Sequence, residues 1–160
     1  LEFKETSDYI TVPPAKYNVT VRLSGNGFRF IQINDFDITN AQVVTVAAAG
    51  LLEQIKTVVL TDDNRLPPAG YSVLRFAHFI PDAPAVDIAV DGEVVFTSIT
   101  YTKSSNYAQI KAGKHNVEVR VAGTDKVVIA VNDIELVSKS IYSIFAEGVL
   151  NNTIYAVLEN

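Results

Sequence analysis

His78, Asp82 and Asp87 are the residues of this chain whose types and spacing could do chemistry. His78 closes an apolar run, Asp82 sits in a loop bounded by Pro81 and Pro84, and Asp87 opens the next apolar run. A β-arch of that length can gather all three. An imidazole beside two carboxylates can form a polar binding site or an ion site with oxygen ligands, and His78 with Asp82 is the one pair that could serve a hydrolase. Asp in turns also caps backbone amides through its side chain. That capping role, with His78 as a buried and satisfied imidazole, is the expectation here.

Other chemistries find less to work with. Asp62-Asp63-Asn64, Asp35 with Asp37, and Asp133 with Glu135 offer oxygens, but none has the spacing of a twelve-residue calcium loop. Asn34-Asp35 and Asn132-Asp133 read as β-turns. His78 and His115 are the only histidines, and no Gly-x-Ser-x-Gly elbow or phosphate-cradling glycine loop occurs. Glycoside hydrolysis needs two carboxylates across a cleft, which small sandwiches rarely provide. The expectation is therefore a non-enzyme with no cofactor and no metal.

Tyrosine rings are a second kind of candidate, because exposed rings stack on sugars or anchor protein interfaces. Tyr101 and Tyr107 join His78, Asp82 and Asp87 as candidate binding residues, with Tyr9, Tyr142 and Tyr155 as further rings. The competing role for each is core packing with the hydroxyl at the rim. Asn18-Val19-Thr20 and Asn151-Asn152-Thr153 match the glycosylation sequon.

The formal net charge is −5, and the thirteen Lys and Arg residues are scattered, so the chain offers no basic face for nucleic acid or anionic lipid. No apolar run is long enough for a transmembrane helix. With no Cys, the chain has no disulfide, thiolate metal site or Cys nucleophile. It also has no Met and opens on Leu1, which fits an exported chain whose leader or upstream segment has been removed.

The elements that must hold these residues follow from an internal repeat. Residues 1–62 align without a gap on residues 99–160. Lys16-Tyr17-Asn18-Val19-Thr20-Val21-Arg22 falls on Lys114-His115-Asn116-Val117-Glu118-Val119-Arg120. Ser7 falls on Ser105, Tyr9 on Tyr107, Gly25 on Gly123, Asn34-Asp35 on Asn132-Asp133, and Gly50 on Gly148. Sixteen aligned residues are identical, roughly three times what unrelated chains of this composition give. The segment Tyr71 to Ser98 has no counterpart before Leu1, so the first copy lacks its front part. An incomplete sandwich exposes a sheet edge, which invites strand pairing or an oligomer. The organisation is an incomplete first sandwich over residues 1–62, a linker over 63–70 and a complete second sandwich over 71–160.

Within the second copy, Val117, Val119 and Val121 alternate with Asn116, Glu118 and Arg120, the mark of a half-buried strand. Asp91-Gly92 between two apolar runs signals a tight hairpin. Strands are expected near 72–79, 86–90, 93–97, 106–110, 115–122, 126–131, 141–147 and 153–159. Val43 to Ile55, with its alanines, could pass for a helix, but its repeat partner Ile141 to Phe145 reads as a strand, so both are strands. Short strands at this spacing predict an all-β fold of tandem immunoglobulin-like antiparallel β-sandwiches.

The run Leu74 to Gly92, with His78, Pro81-Asp82-Ala83-Pro84-Ala85-Val86-Asp87 and Asp91-Gly92, resembles the opening of the DUF4397 family. Tyr107 to Arg120, with Ala112-Gly113, resembles its second signature, and Phe145-Ala146-Glu147-Gly148 its closing strand. The resemblance covers 71–160 directly and 1–62 through the repeat. It implies an immunoglobulin-like sandwich of bacterial surfaces, lipoproteins and cell-wall proteins, a family of uncharacterised molecular function. The expected role is a non-catalytic extracellular or cell-envelope module for adhesion, assembly or spacing, with a protein or polysaccharide of the envelope as partner. A carbohydrate-binding accessory module of exopolysaccharide handling is the alternative.

Overall fold

The structure, a computed structural model, describes residues 5–22, 30–51, 53–150 and 152–159. Leu1, Gly25 and Asn151, which enter the sequence reading above, lie outside the described residues. The chain divides into two compact units, Leu1–Asp62 and Asp63–Asn160.

The second unit is a two-sheet sandwich. Its strands are β5 (Tyr71–His78), β6 (Val86–Val90), β7 (Glu93–Ile99), β8 (Ala108–Lys111), β9 (Gly113–Val121), β10 (Val127–Leu136), β11 (Ile141–Val149) and β12 (Asn152–Glu159). One sheet runs β10-β9-β6-β7 and the other β12-β11-β5-β8. The core between them takes Val86, Ile88 and Val90 from β6, Val117 and Val119 from β9, Leu74 and Phe76 from β5, and Ile144 from β11. These positions alternate along each strand because successive side chains point to opposite faces. Fully burying one such side chain stabilises the fold by about 1.5–3 kcal/mol. Tyr142 shows how a ring enters this core: the ring is buried, and the hydroxyl accepts the Val137 amide at 3.1 Å.

One pairing differs from the antiparallel expectation. β11 and β5 run parallel, with Ser143 aligned on Arg75 and Ile144 on Phe76. A parallel neighbour needs a long crossover, and most of the domain lies between these two strands. Both are buried on both faces, the usual situation of parallel strands. Alternation within one strand reports burial and says nothing of the direction of its neighbour.

The first unit contains two hairpins among its described residues. β1 (Ala15–Arg22) pairs with β2 (Phe30–Ile38), and β3 (Val44–Ala49) pairs with β4 (Lys56–Thr61). Through the repeat these are the counterparts of β9, β10, β11 and β12. The alanine-rich run Val44–Ala49 is a strand, as its repeat partner requires.

Asn34-Asp35 and Asn132-Asp133 are not turns. They are bulges inside β2 and β10, where the register slips opposite Asn18 and Asn116. Asp35 and Asp133 adopt left-handed φ values of 52° and 57°. Their amides donate to Asn18 Oδ1 and Asn116 Oδ1 at 3.1 and 3.2 Å. Asp tolerates the left-handed region, which is why the dipeptide looks like a turn in isolation. The same stapled bulge in both units is structural evidence for the duplication.

Candidate functional site

β5 carries His78 at its end, on the core side of the sheet with Leu74 and Phe76. The imidazole is fully buried, and both of its nitrogens are engaged. The Ile80 amide donates to Nδ1 at 3.3 Å, so the ring proton sits on Nε2 and is donated to the Pro84 carbonyl at 3.0 Å. Burial pushes the His78 pKa below the usual imidazole value, with the Pro84 carbonyl acting weakly the other way. The ring is a neutral brace across the loop Phe79 to Ala85, with no nitrogen left to take a proton from a nucleophile.

Asp82 is exposed, and its Oδ1 accepts the Leu150 amide at 2.9 Å, tying the loop to the β11–β12 turn. Asp87 is buried and bridges two other segments. Its Oδ1 accepts the Ser98 amide at 2.7 Å and its Oδ2 the Gly123 amide at 2.8 Å. No hydrogen bond joins His78, Asp82 and Asp87 to one another. The arch does not gather them into one constellation. Each closes a different stretch of backbone, because buried amides at strand ends must find acceptors.

Tyr101 is half-buried, and its ring lies 6.5 Å from the His78 ring in an edge-on arrangement. Desolvation raises the pKa of its hydroxyl. Tyr107 is half-buried too, with the guanidinium carbon of Arg75 lying 5.0 Å from its ring centre. The structure thus brings Tyr101 to His78 and Tyr107 to Arg75, and leaves the two carboxylates elsewhere.

Arg75 is a functional-looking group that the sequence reading passed over. It is buried within β5, and its Nε donates to Ser143 Oγ of β11 at 2.8 Å. The signal was present in Leu74-Arg75-Phe76-Ala77-His78, because a guanidinium amid apolar residues must be met by a partner when it is buried. The remaining histidine, His115, holds Asp91 at the β6–β7 hairpin, Nδ1 to Oδ2 at 2.6 Å. The Asn116 amide, followed by that imidazole, lowers the Asp91 pKa. Asp91 and Gly92 both have left-handed φ, 51° and 88°, as a two-residue hairpin turn of this kind demands.

Of the acidic groups considered for calcium, Asp62 and Asp63 have local partners. Asp62 Oδ2 accepts from Thr45 Oγ1 at 2.7 Å and from Tyr9 at 3.0 Å, while Asp63 takes Arg65 in a two-pronged pair. Arg65 holds the Asp63 pKa down at about 2. Among the described residues, no group of three or more His, Asp or Glu side chains could hold a metal ion. No helix among them is long and apolar enough to cross a membrane.

Comparison with known proteins adds three findings. No curated protein matches the chain. A solved structure of a disulfide-locked mutant of intermedilysin with human CD59 is similar at 15% identity and a TM-score of 0.32, over 65% of this chain. The chain spans only 26% of that one. The family model described as a domain of unknown function, DUF4397, matches twice, over residues 1–89 and 72–160. With the repeat, the stapled bulges and the Pro-bounded loop on β5–β6 all in place, the chain belongs to the DUF4397 family, in two overlapping matches.

Proposed function

We propose that the chain is a non-catalytic β-sandwich module of the extracellular space or cell envelope, working through contact with protein. The supporting observation is the commitment of its reactive groups. Both nitrogens of His78, the Oδ1 of Asp82 and both oxygens of Asp87 are spent on backbone partners. A base or nucleophile must keep an atom for substrate. The contact side of the reading is supported by the first unit, where Tyr9, Ile10, Val12, Leu51 and Val59 are exposed. Carbohydrate binding has weaker support, because the Tyr107 ring is occupied by Arg75 and Tyr101 is half-buried. Export as a secreted or lipid-anchored protein accords with the cysteine-free composition.

The test is binding of the purified chain to an envelope fraction before and after protease treatment, with soluble polysaccharides as competitors. Saturable binding that protease abolishes is the expected result. Binding that survives protease and is competed by a polysaccharide establishes the carbohydrate reading instead. Absence of binding to either preparation sinks the contact reading. Turnover of ester, phosphate or glycoside substrates that disappears with His78→Gln sinks the non-catalytic one.

A further inference from the structure

The chain's two histidines are partnered differently. His78 has a donor at one nitrogen and an acceptor at the other, so a neutral ring with a single proton satisfies both contacts. His115 meets an acceptor at each nitrogen. Nδ1 lies 2.6 Å from Asp91 Oδ2, and Nε2 lies 2.8 Å from the Lys111 carbonyl. A neutral imidazole carries one proton and cannot donate to both. The imidazole is well covered, at 12% side-chain exposure, whereas the Asp91 side chain is 51% exposed.

The internal repeat shows which of the two contacts belongs to the fold. His115 falls on Tyr17, and Lys111 falls on Pro13. The Tyr17 hydroxyl donates to the Pro13 carbonyl at 2.7 Å. Both copies thus close the same step of the chain with a ring that donates to a carbonyl, and in the second copy the donor is Nε2–H. Nδ1 then sets a lone pair against a carboxylate oxygen unless it too carries a proton. The carboxylate does not supply that proton. The Asn116 amide, 2.9 Å from Oδ1, and then the imidazole hold the Asp91 carboxyl below its usual range. The proton belongs to the ring.

Other charged groups around the ring have other places. Arg120 of β9 donates to Glu118 at 2.6 Å and reaches the Gly92 carbonyl at 3.4 Å. Across the ladder His115 faces Ile134 of β10, and Lys114 is aligned on Glu135. The side chains of Lys111, Lys114, Glu93, Asp133 and Glu135 are exposed.

We infer that His115 works as an imidazolium clasp, a proton-dependent tie between the β6–β7 hairpin and the corner that joins β8 to β9. With both nitrogens protonated, the ring holds the Asp91 carboxylate and the Lys111 carbonyl together. Loss of the Nδ1 proton turns attraction into repulsion at Asp91, while the contact with Lys111 stays. The hairpin is the root of β7, and β7 is an edge of its sheet. The protonation of one ring therefore governs how firmly an edge strand is held.

The experiment measures amide hydrogen exchange of the full chain at about pH 5.5 and about pH 8.5, on either side of the ordinary imidazole range. Rates are expressed as protection, which removes the intrinsic pH dependence of exchange. They are read against the Ser98 and Gly123 amides, which Asp87 holds. Protection of the Asp91 and Asn116 amides falls about tenfold or more at the higher pH. Nitrogen-15 spectra show a proton on each His115 nitrogen at the lower pH and on Nε2 alone at the higher. In Asp91→Asn the side-chain oxygen still accepts from Asn116, and the NH2 group donates to the bare Nδ1 of a neutral ring. Asn also tolerates the left-handed φ of 51° at this position, so the variant folds. Its hairpin protection no longer falls at the higher pH. His115→Tyr supplies the hydroxyl used in the first copy but no second proton, and its hairpin protection is low at both pH values. Equal hairpin protection of the parent at the two pH values overturns the inference. So does a bare nitrogen on His115 at the lower pH, or a fall that persists in Asp91→Asn.

Discussion

Asp87→Ala removes a carboxylate that two backbone amides depend on. Ser98 donates to one oxygen at 2.7 Å and Gly123 to the other at 2.8 Å, in a residue 8% exposed. Hydrogen bonds to a charged group contribute about 1.5–3 kcal/mol each, and the substitution leaves both donors without their acceptor. Together they give a loss of about 3–6 kcal/mol in the second unit. For a domain of this size each kcal/mol lowers the midpoint by about 4–8 °C, so the transition falls by about 12 °C at the least. Asp87→Asn keeps an acceptor for one amide and turns an NH2 group toward the other, so its loss lies between those of parent and Asp87→Ala. Thermal unfolding followed by circular dichroism and by calorimetry checks both values. The two units can melt separately, so the change belongs to the transition that also moves when a β9 core residue is altered. If Asp87→Ala melts within about 2 °C of the parent, the bridge is not structural and the carboxylate is available for a ligand.

Three further outcomes follow from other features. His78 has a folded pKa below its ordinary 6.5, so the unfolded chain binds the extra proton first. Stability is complete above about pH 6.5 and declines as pH falls toward the folded value, a slope that melting at stepped pH shows in the parent and not in His78→Gln. Val117→Ala costs about 2 kcal/mol in a filled core, whereas its counterpart Val19→Ala costs less than about 1 kcal/mol, since Val19 is only half-buried; urea unfolding of the two compares them directly. Gly148 has φ +96°, and an added Cβ would collide with the Asn152 carbonyl, whereas Gly92 at φ +88° faces open space. Gly148→Ala therefore loses about 2 kcal/mol or more beyond the loss of Gly92→Ala, read as the difference between the two melting shifts.

Much of the fold was legible in the chain because the sandwich writes its inner face into each strand. The valines of β9 and the Asp91-Gly92 hairpin needed no knowledge of distant partners. The repeat settled the alanine-rich β3 against its helical appearance. Asn132-Asp133 was misleading because the dipeptide specifies a left-handed residue, which turns and bulges share; the deciding group, Asn116, sits across the ladder. The parallel pairing of β5 and β11 was invisible for the same reason, since strand direction is a property of pairs. At the site, the residue types were informative and their grouping was not. His78, Asp82 and Asp87 lie close in the chain, but the arch points them at Pro84, Leu150, Ser98 and Gly123. Arg75 matters through Ser143, a partner that local spacing does not indicate.

The parallel seam has a consequence for how the second unit is made. Arg75 and Ser143 meet across 68 residues of chain, so the central pairing of that sheet is among its most non-local. Loop-closure entropy must be overcome before such a pairing yields any stabilisation, and domains built this way fold slowly. During synthesis β5 emerges early and waits for β11, with Leu74 and Phe76 uncovered until the last strands arrive. The domain therefore stays open through nearly all of its elongation. A nascent chain arrested before Ile141 presents a long apolar edge, the form that chaperones and proteases would meet first.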